Sequence, residues 1–88
     1  MNTLDGIVKT LEQRVFVDDV VSILNNKNEI IMSYKDNEFV VDPHGKFIQV
    51  YSKGQVIAYY SDVVDFLTKH RINDKTIIEL SSEIDYSV

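Results

Sequence analysis

Two histidines and fourteen carboxylates are the side chains of this chain best able to do chemistry. Their spacing argues against most of it. His44 sits in Asp42-Pro43-His44-Gly45, a turn sequence. Asp42 is near enough to join it, but two residues do not make a metal site. His70 stands between Lys69 and Arg71 at the end of a helical pattern, where a cation suits the helix dipole. Asp18-Asp19 and Asp62/Asp65 fall at predicted helix starts, and capping explains them. Asp36-Asn37-Glu38 lacks the alternating oxygens and central glycine of a calcium loop. Gly6, Gly45 and Gly54 are too scattered for a phosphate-binding loop. The chain has no cysteine, which rules out disulfides, thiol catalysis and cysteine-based zinc sites. No catalytic, cofactor-binding or metal-ligating residue is assigned, and the expectation is a protein that is not an enzyme.

The tyrosines hold more interest. Tyr34, Tyr51, Tyr59, Tyr60 and Tyr86 outnumber the phenylalanines, and there is no tryptophan. Tyrosine buries area while keeping a polar tip, which suits interfaces as well as sheets. Tyr59 and Tyr60 are neighbours on one predicted strand, so one of them must point away from the core.

The element that positions these residues runs from Glu29 to Tyr60. Four short apolar runs, EIIMSYK, EFVVD, KFIQVY and QVIAYY, are separated by Asp36-Asn37, Pro43-His44-Gly45 and Lys53-Gly54. That is the pattern of a four-stranded antiparallel β-meander. A two-residue Asp36-Asn37 loop sets Lys35 opposite Glu38 and Tyr34 opposite Phe39. A type I turn at Asp42–Gly45 with a glycine bulge sets Val41 opposite Phe47 and Val40 opposite Ile48. A two-residue Lys53-Gly54 loop sets Tyr51 opposite Val56; a bulged loop would exchange the faces of the last strand. On the first choice the core face carries Ile30, Met32, Tyr34, Phe39, Val41, Phe47, Tyr51, Val56, Ala58 and Tyr60. The other face is polar near the start and apolar later, with Ile31, Val40, Ile48, Val50, Ile57 and Tyr59.

Leu4, Ile7, Val8 and Leu11 share one helical face, with Asn2 or Thr3 as cap and Asp5 in the first turn. The apolar phase then changes, which predicts a break near 15–18 and a second helix capped by Asp18; a single bent helix is the alternative. Ser61 is expected to cap a helix over about 61–71, with Val63, Phe66 and Leu67 buried. Residues 75–80 (KTIIEL) read as a fifth strand, or as the start of a final helix, and the last six residues as loose. The whole is a single small α+β domain over 1–88, with the meander packed against N-terminal helix or helices and the 61–71 helix.

The net charge is −5, and the last fifteen residues hold four acids against one lysine. With two arginines and no basic patch, the attraction that drives phosphate-backbone binding is missing, so direct nucleic-acid binding is not expected. No signal-peptide pattern and no bilayer-length apolar run appears, and a cytoplasmic protein is expected. Charge and surplus apolar sheet surface together predict a small acidic binding protein that blocks or modulates a protein partner, itself basic. In general build the chain resembles the small inhibitors of phages and mobile elements, such as anti-CRISPR and antirestriction proteins. No motif carries that resemblance, and it assigns no residue. The alternatives are a homo-oligomeric structural or regulatory module, with a homodimer its simplest form, or an immunity protein or antitoxin neutralising a basic toxin. A small-molecule pocket between sheet and helices is a further class. The residues expected to meet the partner are Ile48, Val50, Ile57 and Tyr59 on the sheet, and Glu79, Glu83 and Asp85 near the end.

Overall fold

Alternation of apolar and polar residues makes the 29–60 segment a sheet, as expected. In the computed structural model, which describes the chain from residue 3 to residue 88 and its side chains from residue 9 onward, the meander consists of β1 (Ile30–Tyr34), β2 (Asn37–His44), β3 (Phe47–Ser52) and β4 (Gln55–Tyr60). A short strand near the end, β7 (Asp85–Ser87), pairs antiparallel with β1 and completes the order β4-β3-β2-β1-β7. The α+β class and the meander are those predicted. The residues that supply the fifth strand are not, since 85–87 fall within the stretch expected to be loose.

The turns differ from the prediction in an instructive way. The first loop is Lys35-Asp36, with Tyr34 opposite Asn37 and Met32 opposite Phe39. The register has slipped by two residues from the expected one, so every side chain keeps its face. The expected Lys35–Glu38 pairing is lost, and the Lys35 ammonium instead lies 5.3 Å over the Tyr34 ring. The second loop is Gly45-Lys46, with His44 opposite Phe47 and Val41 opposite Val50. That is a slip of three, and it reverses β3. Ile48 and Val50 enter the core, while Phe47 is left 57% exposed. Gly45 takes the left-handed φ of +62° that the tight loop needs. Pro43 is therefore not a turn residue. It lies in β2 opposite Ile48, one pair in from the loop. In a two-residue hairpin the closing pair is hydrogen bonded and the next is not, so the proline nitrogen points away from β3. On that side β1 has already ended, and no ladder bond is missed.

The third loop is Lys53-Gly54, and Tyr51 faces Val56 as expected. Beyond it a β-bulge shifts the register, so that Val50 faces Ala58 and Ile57 is the extra residue. Ala58 and Tyr60 point inward, whereas Val56 points out. Lys53 and Gly54 both carry positive φ, +53° and +78°. A lysine in that conformation is strained, and asparagine tolerates it better. Lys53→Asn is expected to raise stability by about 0.5–1 kcal/mol in urea titration, with an unchanged m-value.

The helices cover one face of this sheet. α1 (Thr3–Asn25) is one helix of 23 residues, without the break expected at 15–18. Phe16, Val20 and Leu24 recur every fourth residue and are buried on the sheet. Leu11 and Phe16 stand about 140° apart around the axis, and Leu11 is 53% exposed, so the change of apolar phase leaves the earlier face in solvent without ending the helix. Asp18 is an exposed residue of its interior, not a cap. The expected cap at Asn2 or Thr3, the Asp5 placement and the packing of Leu4, Ile7 and Val8 lie outside the described residues.

α2 (Val63–Lys69) starts one residue later than predicted, because Asp62, not Ser61, is its cap. The Asp62 carboxylate accepts from the Asp65 amide at 2.7 Å, and Asp65 accepts from the Ser61 amide at 3.1 Å. Asp65 also holds Lys69 at 2.6 Å. Lys69 first, and then Ser61, keep the Asp65 carboxyl below the usual carboxylate range. Val63, Phe66 and Leu67 are buried, as expected. A two-residue ribbon follows, β5 (Arg71–Ile72) with β6 (Lys75–Thr76), and the chain then turns without a strand to residue 84. The strand expected over 75–80 is thus confined to its first two residues and pairs outside the main sheet. Thr76 begins a tight turn in which its hydroxyl and amide both donate to Glu79 at 3.0 Å. That allows Ile77 and Leu80 to drop into the core.

The C-terminal segment is tied down at two points. Gln13 Nε2 donates to the Ile78 carbonyl at 3.1 Å. The Tyr86 hydroxyl donates to Asp19 at 2.6 Å, and its ring meets Phe16 edge-on at 5.4 Å. Donation to Asp19 pushes the Tyr86 phenol up to about 12.

Candidate functional site

The sheet has two faces, and the described residues cover only one. Both helices and the 77–84 turns pack on the face of Ile30, Met32, Tyr34, Phe39, Val41, Ile48 and Val50. The registers place the outward residues in cross-strand rows. The central row runs Ser87, Ile31, Val40, Tyr51, Val56 from β7 to β4. Ile31 is 42% exposed and Val56 39%, an apolar stripe across the four meander strands that ends at Ser87 on β7. One row to the side holds Asp42, Gln49 and Tyr59. Carrying the β1–β2 ladder one residue further sets Glu29 opposite Asp42. The row on the other side holds Asp85, Ser33 and Glu38. An apolar centre is therefore flanked by carboxylates on both sides.

Local contacts stiffen the middle of this face. The Tyr51 hydroxyl donates to the Gln49 side chain, and Gln49 is buried despite lying on the open side. Burial, then Asp42, Tyr59 and Glu29, push the Tyr51 phenol up, which keeps it a donor at neutral pH. Among the described residues the one ion pair is Lys69–Asp65, so none of the four flanking carboxylates is paired with a cation.

The residues singled out from sequence divide. Tyr59, 61% exposed, lies on the open face, Ile57 is exposed at the bulge, and Asp85 lies at the β7 edge opposite Ser33. Ile48 and Val50 are 5% and 0% exposed in the core and are removed from any surface. Their reversal comes from the Gly45-Lys46 loop. Glu79 and Glu83 line a polar hollow with Lys9 and Gln13 of α1, on the helical side of the sheet. Glu79 is moreover committed to Thr76, whose amide and hydroxyl hold its carboxyl below the usual range. The structure does not bring these two acids to Tyr59. Sequence reasoning missed Tyr51 and Val56, which it placed in the core. The signal that could have found them is the glycine at position 45, which favours a tight loop there.

His70 belongs to a second cluster. Its ring stacks on Phe66 at 5.6 Å, approaches Phe39 at 5.5 Å, and lies 2.8 Å through Nδ1 from the Tyr60 hydroxyl. A cleft of about 830 Å³ opens beside it between the 36–39 and 52–55 turns. Burial lowers the His70 pKa from 6.5, and burial, then Asp65, raise that of Tyr60. A neutral imidazole and a protonated phenol thus share this hydrogen bond. The unfolded chain takes up the proton near pH 6.5 and the folded chain only below that. Stability is therefore complete above pH 6.5 and falls as pH drops toward the lowered value. The melting temperature is expected to fall between about pH 7 and pH 5, and His70→Gln to flatten that slope. Among the described residues no group of three His, Asp or Glu comes together to hold a metal.

The fold and this site define an α+β domain with a five-stranded antiparallel sheet, helices on one side and an open acidic-apolar face on the other. No family model, no curated protein and no solved structure matches the chain.

Proposed function

We propose that the chain is a non-enzymatic binding protein that engages a protein partner through the open face of its sheet and blocks or modulates that partner. One observation carries this reading. Ile31, Val56 and Tyr59 stand exposed together on a face that no other part of the described chain covers. Apolar side chains gathered on one surface mark interaction sites more often than apolar side chains scattered singly. Inhibition, in the manner of the small acidic inhibitors of phages and mobile elements, is the narrower form of the reading. Small size and acidity are what support it. A cytoplasmic setting belongs to the same proposal. No helix among the described residues is long and apolar enough to cross a membrane.

The test is capture with a paired control. The immobilised protein and a Val56→Ser/Tyr59→Ser variant are exposed to the same lysate, after matched thermal melts show both folded. A partner held by the parent and lost by the variant is expected. Equal retention by both, or no retention by the parent, would count against the open face.

A further inference from the structure

The chemistry of the open face specifies the chemistry of its occupant. Resting on the proposed role of that face as a binding surface, we infer that it takes a basic amphipathic helix of a partner protein. The apolar stripe of that helix lies along the Ile31–Val40–Tyr51–Val56 row, and its Lys or Arg flanks meet Asp42 on one side and Glu38 on the other. Charge complementarity and dimensions both support this occupant. The apolar row crosses the four meander strands, a span of about 14 Å at roughly 4.8 Å per strand. That is the length of about 10 helical residues at 1.5 Å each. Rows on the same face lie about 7 Å apart along the strands, so the two carboxylate rows stand about 13–14 Å from one another. An α-helix with its side chains is about 10–12 Å across, so cations on both of its flanks reach both rows.

The other occupants fit less well. A second copy related by a two-fold axis would set carboxylate rows against carboxylate rows, and like charges opposed across an interface are costly. The bulge at Ile57 also interrupts the free edge of β4, a device that discourages edge-to-edge pairing. Nucleic acid would be repelled by the same carboxylates. A basic flank is attracted by all four, since none has a cation partner among the described residues.

Two synthetic helical peptides of ~14 residues make the test, sharing one leucine stripe and flanked by lysine in the first and glutamate in the second. Each is titrated into the isotopically labelled protein while the backbone amide signals are followed. The lysine peptide is expected to shift the amides of Ile31, Val40, Tyr51 and Val56. Its Kd should rise about tenfold between ~50 and ~300 mM NaCl, and about tenfold again in Glu38→Gln/Asp42→Asn, whose melt should match the parent's. The glutamate peptide should bind at least about tenfold more weakly. Equal binding of both peptides on this face overturns the charge inference and leaves the open-face reading standing. Shifts confined to the helical side overturn both. A lysine peptide that shifts nothing, or a protein that sediments as a dimer through this face, overturns the inference.

Discussion

Ile48→Ala is expected to destabilise the protein by about 2–4 kcal/mol, while Ile57→Ala changes stability by less than about 0.5 kcal/mol. The two residues have the same side chain and lie on adjacent strands. Ile48 is 5% exposed, opposite Pro43 on one side and Tyr60 on the other, and its loss leaves a cavity. Ile57 is the bulged residue and 54% exposed. The pair of variants tests the reversal of β3 directly. With the Asp42–Gly45 turn that the sequence suggests, Ile48 would point outward and its truncation would cost little. Urea denaturation of both variants measures the difference, and about 2 kcal/mol in a domain of this size corresponds to roughly 8–16 °C in Tm.

A second large effect is expected at Phe66. It is fully buried, with Tyr60 edge-on at 5.8 Å and His70 stacked at 5.6 Å. It thereby joins α2 to β4 and to the start of the β5–β6 ribbon. Phe66→Ala should cost about 3–5 kcal/mol, a large part of the stability such a domain has. Phe66→Leu preserves most of the volume and should cost about 1–2 kcal/mol, so the site can be measured even if the alanine variant does not fold. Since the Phe66 ring also helps to exclude water from His70, the leucine variant should show a shallower dependence of Tm on pH than the parent.

The arithmetic of the hairpins decides how much of the fold was legible in the sequence. The four meander strands were legible because each apolar run is bounded by turn residues. The core faces of β1 and β2 were legible although their register was wrong, since a slip of two restores the pleat. β3 was misread because a slip of three does not. Pro43 favours a turn locally, and the structure instead uses it as a strand residue where its missing N–H faces no neighbour. Two features lay beyond local pattern. The bulge at Ile57 meets no turn or glycine signal, and it alone turns Ala58 and Tyr60 inward when Val56, paired with Tyr51, points out. β7 is too short to announce itself, and β1 together with the Tyr86–Asp19 contact defines it. The candidate site was half legible for the same reason. Tyr59 and Asp85 were placed on a surface correctly, whereas Ile48 and Val50 were exchanged for Tyr51 and Val56 by one turn.

The pairing of β7 with β1 also sets an order of events in time. β1 to β4 are joined by two-residue loops, so their pairing closes short loops and can proceed early. Ser33 meets Asp85 only across more than fifty residues of chain, and that closure carries a larger entropic cost. The meander is therefore expected to form first, with β7 adding last and leaving first. Native-state hydrogen exchange should show the amides of Tyr86 and Ser87 opening well below the global unfolding free energy, and those of Val41 and Val50 opening only with it. Until β7 docks, the outer edge of β1 is an unpaired strand, and that intermediate is where self-association during refolding would begin.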